Sequence, residues 1–564
     1  MKKATGVQAN NLNVKSKAKS VYHRLSLIIA VFAASLPLYI NNALADTVEL
    51  KIIDSIEIIA ENVYDLDDPR YDSFIFKIAN KMHIVTKQSV IRRELLLDKG
   101  DIFDTSLVNE TVRNLRQLPY LLKTEIYLVK GEKDENLMIV RTSDKWTTVG
   151  GMSLHRSGGR SDIQIGIEES NLFGYGIYSS HDYFVLEDDR NYYQGEIRDS
   201  RFMGLNYSAG LFYSDNPRNG QMEISINKPL YHLRQNWGWG LNLNVFRQRF
   251  DYYIAEILAG RDRIIGKRLK TNSVLRYGPG TLKCSLYLGY TFTDLEPKQR
   301  FITSNSIYSN GDRLDSADIL QLLPKKPDDT LSHTLEFGFR LQHVNFKSYN
   351  RINRFQKAED VNLGIDILTM GYLAYDANLK RSLYQRINIW PQVTIGFENG
   401  YIRLGTDINI WHSDNGWIRR YVKHYFKWYV KYHNNHTFAI NINSAFNYFQ
   451  NNSLTLYLDE DRGLRGYPVF FLNGDSRLIA NIENRIFSDL EILSVGLGGV
   501  IFADIGNIWT RETSFSFRES LLSLGCGMRF GFSRSTQAEI VRVDLAYAVE
   551  RKSWQISIGT GQYF

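Results

Sequence analysis

The stretch that decides the fold is Asp459-Glu-Asp-Arg-Gly-Leu-Arg-Gly-Tyr-Pro468. It is polar and contains two glycines and a proline, which is typical of a loop. Strand-like alternation precedes it over residues 438–458, and more alternation follows from Arg477 to the end of the chain. A charged loop between strands normally lies in water, but this one has a compact Leu-Arg-Gly-Tyr centre at 464–467. What such a loop does therefore depends on the sheet on both sides of it.

From residue 146 onward, apolar and polar side chains alternate in one segment after another. Residues 237–245, for example, carry an apolar side chain at every second position. Segments of about ten residues are long enough to cross a bilayer at a tilt. An open sheet in hydrocarbon would leave edge N–H and C=O groups unpaired, so such a sheet must close. We therefore predict a mainly β fold, with a transmembrane antiparallel β-barrel over residues 146–564, rather than a secreted sandwich.

Composition narrows the class of protein. The chain has 564 residues, of which 43% are hydrophobic and 13% aromatic, and its mean hydropathy of −0.30 argues against a bundle of transmembrane helices. The net charge of +7 is not concentrated in a basic run, so we expect no nucleic-acid partner. The sequence contains no His-Glu-x-x-His, Gly-x-Ser-x-Gly or P-loop motif, so we predict no enzyme activity and no cofactor.

The first 45 residues have the features of a secretory signal peptide. Basic side chains precede an apolar stretch over 25–40, and Ala43-Leu44-Ala45 offers a cleavage site before Asp46. A membrane anchor at the same position is the alternative. Both interpretations predict that the rest of the chain is exported.

Residues 46–145 mix strands and helices. The pattern predicts a strand over 55–63, a helix after Thr86 and a second helix that begins at Asp104 or Thr105 and ends near Pro119. Two strands follow, over 121–129 and 136–142, while residues 66–81 remain without assignment. This order, β-α-α-β-β, predicts one small α+β domain.

Taken together, these motifs resemble the outer-membrane insertase and translocase superfamily typified by BamA, to which TamA and bacterial surface antigens also belong. Residues 46–145 resemble its POTRA domain, and Asn171-Leu-Phe-Gly-Tyr-Gly176 resembles its early "N-L-F-G-x-G" turn. Arg465-Gly466-Tyr467, followed by Phe-x-Asp-x-Gly at 502–506, resembles its inserted loop. The resemblance implies a barrel of about sixteen strands in the bacterial outer membrane, with one POTRA-like domain in the periplasm.

The resemblance also implies a site for the loop. Residues 459–474 would fold into the barrel, where the guanidinium of Arg465 meets Asp504 and Glu483 on the inner wall. A planar guanidinium suits this role because it can bind a carboxylate through two parallel hydrogen bonds. Gly466 would permit the tight backbone, and Tyr467 would pack against the wall. The alternative is an arginine in a solvated loop without a fixed partner.

A second implied feature is a seam between the first barrel strand, near 147–155, and the last, near 553–564. Weak pairing there would leave an edge that can accept another strand. Gly559 and Gly561 would remove packing at this seam, although barrel tapering explains glycines equally well. Phe564 matches the usual assembly signal at the end of such barrels, whereas Gln562 departs from it.

The segment 421–432 places three lysines, Lys423, Lys427 and Lys431, on one face of a strand. We predict a polar inner wall balanced by carboxylates. The alternative is a basic surface along which acidic or unfolded chains pass.

The function implied by the resemblance is assistance in inserting or translocating polypeptides at the outer membrane. The POTRA-like edge would capture client strands and the seam would receive them, with unfolded outer-membrane or exported polypeptides, lipid and periplasmic accessory proteins as partners. Two alternatives stay open: a dedicated transporter of the two-partner type, and a passive porin-like channel or surface antigen. The sequence does not identify the client, or whether a lipid is handled.

Overall fold

The computed structural model describes residues 51–564 except 132–133, 158–159, 188, 255–256, 279, 303–307, 310–311, 314, 415, 450–455 and 537–538. The predicted signal peptide, residues 1–45, lies outside the described residues. Among the helices that are described, none combines the length and the hydropathy needed to cross a membrane.

A small α+β domain precedes the barrel. Its sheet has Asn136–Asp144 in the middle, parallel to Ser55–Glu61 and antiparallel to Leu121–Lys130. Its helices are Phe74–Met82, Gln88–Arg92 and Thr105–Gln117. The core between helices and sheet consists of apolar side chains that include Ile53, Ile91, Leu115, Leu121 and Val140.

Local sequence predicted two of these helices, and it did not predict the third. Helix Thr105–Gln117 begins where the Asp104 carboxylate accepts the N–H of Ser106 at 2.8 Å, so this N-cap prediction is confirmed. Helix Gln88–Arg92 lies where expected, but Lys87 stands at its N-cap. The Thr86 hydroxyl donates instead to Asp144 at 2.9 Å. Helix Phe74–Met82 occupies the segment that the sequence left without assignment.

Twenty long strands form the barrel, each antiparallel to its predecessor. They are Thr148–Ser157, Arg160–Glu169, Ile177–Val185, Tyr192–Asp199, Ser208–Ser214, Asn219–Lys228, Trp237–Ile254, Ile257–Tyr277, Leu282–Pro297, Thr330–His343, Glu359–Asp376, Arg381–Phe397, Gly400–Ser413, Gly416–His433, His436–Phe449, Ser476–Ile492, Val495–Trp509, Leu521–Gly531, Ile540–Ala548 and Ser553–Thr560. Shorter elements in the connections are Phe301–Ile302, Tyr308–Ser309, Asp312–Arg313, Ser316–Leu322, Asn345–Tyr349, Leu456–Leu458, Leu472–Gly474 and the 3₁₀ turns Leu172–Gly174, Phe202–Gly204, Glu460–Arg462 and Phe517–Glu519.

The predicted barrel is confirmed, but the strand number is not. Sixteen, the number implied by the resemblance, is wrong for the described chain. The region 350–435, where sequence alone left the boundaries open, holds four separate strands, each paired with both of its neighbours. Fifteen strands precede the loop 459–474, and five follow it.

The outward face of the barrel is apolar. Alternate residues of the strands point outward, and many are large apolar side chains that are more than half exposed, such as Leu288, Ile501 and Ile556. In water such a continuous surface would be unfavourable, whereas in a bilayer it contacts acyl chains. The pattern is that of a membrane-spanning barrel.

The pairing of strands is weakest between the last strand and the first. All other neighbouring long strands share a register of paired residues. Ser553–Thr560 and Thr148–Ser157 are neighbours in the closed barrel, but no register of paired residues runs between them in the described part of the chain. Trp146, just before the first strand, bonds instead to the turn 532–539, with its N–H donating to the Arg534 carbonyl at 2.7 Å. This turn joins the eighteenth and nineteenth strands, so the last strand is bypassed.

The α+β domain is attached to turns at one end of the barrel, called the domain end below. Glu94 and Arg201 form a buried ion pair, with Nε–Oε1 and Nη2–Oε2 distances of 2.8 and 2.5 Å. The Arg201 guanidinium also lies over the ring of Tyr231. On another turn, the Gly174 carbonyl accepts the N–H of Lys87 at 3.0 Å.

The ion pair predicts how firmly the domain is held. Glu94→Ala leaves the Arg201 guanidinium buried without its carboxylate, which costs about 3–5 kcal/mol. We expect faster amide exchange over residues 88–95 and easier proteolysis between domain and barrel. Glu125→Ala is the control, because the Glu125–Lys123 pair is exposed and worth about 0–1 kcal/mol. Equal exchange and proteolysis in the two variants would contradict the prediction.

Candidate functional site

The loop 459–474 is folded around its own carboxylate. The Asp459 side chain is buried and accepts the N–H groups of Arg462 at 3.1 Å and Phe470 at 2.9 Å. Gly463 and Gly466 have φ angles of 117° and 84°, a left-handed backbone that glycine adopts without strain. These contacts and backbone angles lie within the loop itself and define its shape without help from the wall.

Arg465 at the tip of this loop lies fully buried against acidic side chains of the barrel wall. Its Nε and Nη2 donate to the two oxygens of Asp504 at 2.7 and 2.8 Å, and its Nη1 donates to Glu483 at 2.8 Å. All three side chains have no exposed surface. The structure therefore brings together the arginine and the two carboxylates that sequence motifs placed in one site.

Two aromatic rings complete the arginine pocket. The Arg465 guanidinium carbon lies 3.4 Å from the centroid of Phe502 and 4.0 Å from that of Tyr563. An arginine between rings is held by cation–π attraction in addition to its ion pairs. Phe502 belongs to the Phe-x-Asp-x-Gly motif, so two residues of that motif contact the same guanidinium.

The network extends beyond the residues singled out from sequence. Glu483 also accepts from Arg485 at 2.8 Å, and Asp504 from Asn481 at 2.8 Å. Asp544 binds Arg529 at 2.6 Å and Arg542 at 2.9 Å, and lies 3.7 Å from Arg465. Strand alternation predicts that residues 481, 483 and 485 share one face of the sheet. It does not predict which of them contacts Arg465.

Gly466 and Tyr467 fix the loop on the side of the last strands. Tyr467 is buried, and its hydroxyl donates to the Leu522 carbonyl at 3.1 Å and bonds to the Glu550 carboxylate. A Cβ on Gly466 would lie 3.2 Å from Ala546, so the loop backbone packs directly on the wall. Arg462, by contrast, is partly exposed and pairs with Asp459 inside the loop at 2.6 Å.

The seam residues differ from expectation. The last strand ends at Thr560 rather than near Phe564, because Gly561 has a left-handed φ of 74°. Residues 561–564 turn into the lumen. The ring of Phe564 lies 4.8 Å from the Arg485 guanidinium, and its carbonyl accepts from Arg485 Nη2 at 3.2 Å. Phe564 therefore faces the lumen network, not the seam.

Gly559 has a packing reason of its own. A Cβ at this position would lie 2.7 Å from Nη2 of Arg542, so the guanidinium fills the space that a side chain would need. The two glycines thus serve the lumen network and the inward turn. Their role at the seam, which the resemblance implied, stays a prediction.

A turn from the domain end also enters the lumen. Arg485 Nη1 donates to Asn353 Oδ1 at 2.8 Å and to the Ile352 carbonyl at 3.2 Å. Phe355 packs against Phe487 with a centroid distance of 5.2 Å. Loop 459–474, residues 561–564 and this turn therefore meet around Arg465 and Arg485.

Two lysines of segment 421–432 line the lumen beside the loop 459–474. Lys423, Tyr425 and Lys427 line a lumen cavity of about 750 Å³ together with Arg403. Arg403 and Lys427 are directly opposite each other on neighbouring strands. In the described part of the chain, neither Lys423 nor Lys427 forms an ion pair, but Asp407 lies directly opposite Lys423 on the neighbouring strand, and Glu460 and Asp461 line the same cavity. The carboxylates predicted for this wall are therefore present.

The domain end of the barrel holds a group with a shifted proton affinity. Burial, together with the positive charges of Lys145 and Arg354, lowers the pKa of Lys357 from 10.5 to about 8. Glu539 links the same elements, with ion pairs to Lys145 at 3.1 Å and to Arg354 at 2.9 Å.

Comparison with known proteins gives matches in structure alone. No protein-family model and no curated protein matches the chain. BamA from Haemophilus ducreyi lacking POTRA domains 1–3 is 13% identical over 92% of this chain and 84% of that chain, with a TM-score of 0.35. CdiB from Escherichia coli is 9% identical over 98% and 97%, with a TM-score of 0.39. The FrpB iron transporter from Neisseria meningitidis is 7% identical over 76% and 81%, also with 0.39.

The arginine pocket predicts an ordered series of variants. Arg465→Ala leaves Asp504 buried without its cation, while Glu483 keeps Arg485, and the loss of the Asp504 pair costs about 3–5 kcal/mol. Arg465→Lys keeps the charge but not the paired hydrogen bonds, so we expect an intermediate loss. The readout is the denaturant midpoint of the folded barrel, followed by its heat-dependent gel migration. Arg462→Ala is the matched control, and a loss as large as that of Arg465→Ala would contradict the prediction.

Lys357 predicts a pH dependence of stability. Between about pH 8 and the ordinary lysine value near 10.4, the unfolded chain binds more protons than the folded one, so the free energy of unfolding rises with pH. Lys357→Met removes the contribution of this lysine to the pH dependence of the free energy of unfolding. The variant should be more stable near pH 7 and should gain less between pH 7 and about 9.5. Denaturant midpoints measure this, with Lys123→Met as the exposed control. Identical pH profiles of wild type and Lys357→Met would overturn it.

Proposed function

We propose that this protein spans the bacterial outer membrane, with its α+β domain in the periplasm, and assists the insertion or translocation of polypeptides there without a cofactor. The domain would act as a POTRA-like module. The observation that carries this proposal is the seam, where the first and last strands share no register of paired residues among the described residues. An unpaired strand edge presents N–H and C=O groups that another strand can bind.

The inward turn at Gly561 supports the same role. Because residues 561–564 leave the strand for the lumen, the last strand ends early and offers Trp146 no partner. At the domain end Trp146 is bonded to Arg534 and Thr536 instead, so the edge open to another strand begins beyond Trp146. A client strand in extended conformation could pair there through main-chain hydrogen bonds, which require no particular client sequence.

The contents of the lumen favour this role over a passive channel. Three segments, the loop 459–474, residues 561–564 and the turn around Asn353, converge on the buried arginines. A porin-like channel needs a water-filled passage, whereas these segments occupy the lumen and brace its wall. The arginine pocket then serves to hold the barrel in shape while the seam is unpaired.

The α+β domain has edges that suit the capture of an extended peptide. The order of its sheet leaves Ser55–Glu61 on one side and Leu121–Lys130 on the other, with neither bonded to a further strand among the described residues. Strand addition at such an edge gives affinity through the backbone. We propose that an edge of this sheet makes the first contact with the client, before the client reaches the seam.

A photo-crosslinking experiment tests the seam. Benzoylphenylalanine replaces Met152, an outward-facing residue of the first strand, and in a matched variant it replaces Leu288, an outward-facing residue of a fully paired strand. We expect Met152 to capture newly exported polypeptides in cells and Leu288 to capture lipid only. Equal capture of polypeptide at both positions would refute a role of the seam.

Depletion of the protein separates the modes of action. A census of outer-membrane proteins that shows loss of many barrels supports general insertion, and loss of one exported protein supports a dedicated transporter. An unchanged census, together with a steady open pore in planar bilayers, would replace the proposal with a passive channel.

A further inference from the structure

Helix Phe74–Met82 exposes an apolar face. Phe76 is buried, with its ring 4.5 Å from Tyr64 and 5.3 Å from Tyr71. On the other side the exposed fractions are 75% for Phe74, 61% for Ile75, 40% for Ile78 and 70% for Met82. At a helical period these four positions lie within an arc of about 100°. A face of this kind is not expected in water on such a short helix.

The helix lies at the rim of the barrel, below the seam. Before it, Tyr64 bonds to Ser494 at 3.3 Å and Tyr71 donates to Glu491 at 2.8 Å. After it, the N–H of Lys87 donates to Gly174. Ser494 lies in the turn between the sixteenth and seventeenth strands, and Gly174 in the turn between the second and third. The segment from Tyr64 to Lys87 therefore bridges the rim on both sides of the seam.

Exposed apolar side chains also lie at both attachment points of this bridge. At one end of the bridge Leu490 and Leu493 are exposed on the rim, and at the other Phe173 is exposed. Ile84, just after the helix, is also exposed. A lipid surface could contact these apolar groups and the apolar face of the helix together.

Charge on the helix suits a lipid surface. Lys77 and Lys81 lie next to each other along one edge of the apolar arc, so a basic strip borders the apolar face, as in an interfacial helix. Lys77 pairs with Asp72 in an exposed ion pair, and Lys81 has no ion-pair partner in the described part of the chain. A free ammonium beside an apolar arc can bind the phosphate of a headgroup while the arc enters the acyl boundary.

We propose that helix Phe74–Met82 is a membrane-binding site of the α+β domain, inserted into the headgroup region of the leaflet below the seam. It binds phospholipid, with the apolar arc at the acyl boundary and Lys81 at the phosphates. The site anchors the domain to the bilayer at the point where strand pairing is missing. The inference rests on the barrel lying in a membrane and not on what the seam does to a client.

Spin labels on the purified full chain test the site. In a Cys284→Ser, Cys526→Ser background, a nitroxide is placed at Ile78→Cys or, as the water-facing control, at Lys123→Cys. The protein is reconstituted into vesicles of phosphatidylethanolamine and phosphatidylglycerol. We expect the label at 78 to be more accessible to oxygen than to a nickel chelate, and the label at 123 to show the reverse. The same ratio at both positions would overturn the proposal.

A second measurement distinguishes lipid from a protein partner. Phe74→Ser, Ile78→Ser, Met82→Ser changes exposed side chains only, so the barrel should keep its heat-dependent gel migration. Amide exchange over residues 74–82 should be slowed by vesicles in the wild type and not in this variant. Benzoylphenylalanine at position 78 should capture phospholipid in cells. Capture of a polypeptide or of a second copy instead would overturn the proposal. None of these readouts depends on a client, so they stand apart from the test of the seam.

Discussion

The buried contact of Arg465 with Asp504 and Glu483 is the interaction on which the lumen depends. A carboxylate without water needs a cation, and among the described residues Arg465 is the one that forms an ion pair with Asp504, whereas Glu483 is shared with Arg485 of the wall. The loop brings Arg465 from the far end of the barrel, and Arg485 and Arg529 supply the neighbouring charges. The rings of Phe502 and Tyr563 then fix the guanidinium. The loop is thereby joined through side chains to the two neighbouring strands that carry Glu483 and Asp504.

Such internal bracing matters because the backbone pairing around the circumference of the barrel is weakest between the last strand and the first. In a fully paired barrel the hydrogen bonds between strands hold the shape. Here the first and last strands share no register, and Gly561 directs the end of the sheet inward. The residues that leave the sheet are not lost to it, because Tyr563 and Phe564 stack on Arg465 and Arg485. The weak pairing at the seam and the filling of the lumen are therefore linked, because the residues that leave the sheet are the ones that bind the lumen arginines.

Sequence predicted what depends on local or periodic order. Alternation identified the barrel, Asp104 marked a helix start, and the motif resemblance brought Arg465, Asp504 and Glu483 together. It missed what depends on distant partners. The inward path of Phe564 follows from the left-handed Gly561 and from Arg485, which lies on another strand. The strand number follows from pairing across the region 350–435. Helix Phe74–Met82 was hidden because its apolar residues serve two faces, and Phe76 alone packs inward.

The attachment of the α+β domain also determines where the barrel wall can yield. On one side of the seam the domain is bonded to the turn that carries Gly174, and on the other to the turn that carries Arg534. The domain thus connects the two sides of the seam at the domain end of the barrel and bypasses the last strand. Any separation of the first and last strands must then begin at the opposite rim. The gap would narrow toward the domain end, where the two sides of the seam stay connected.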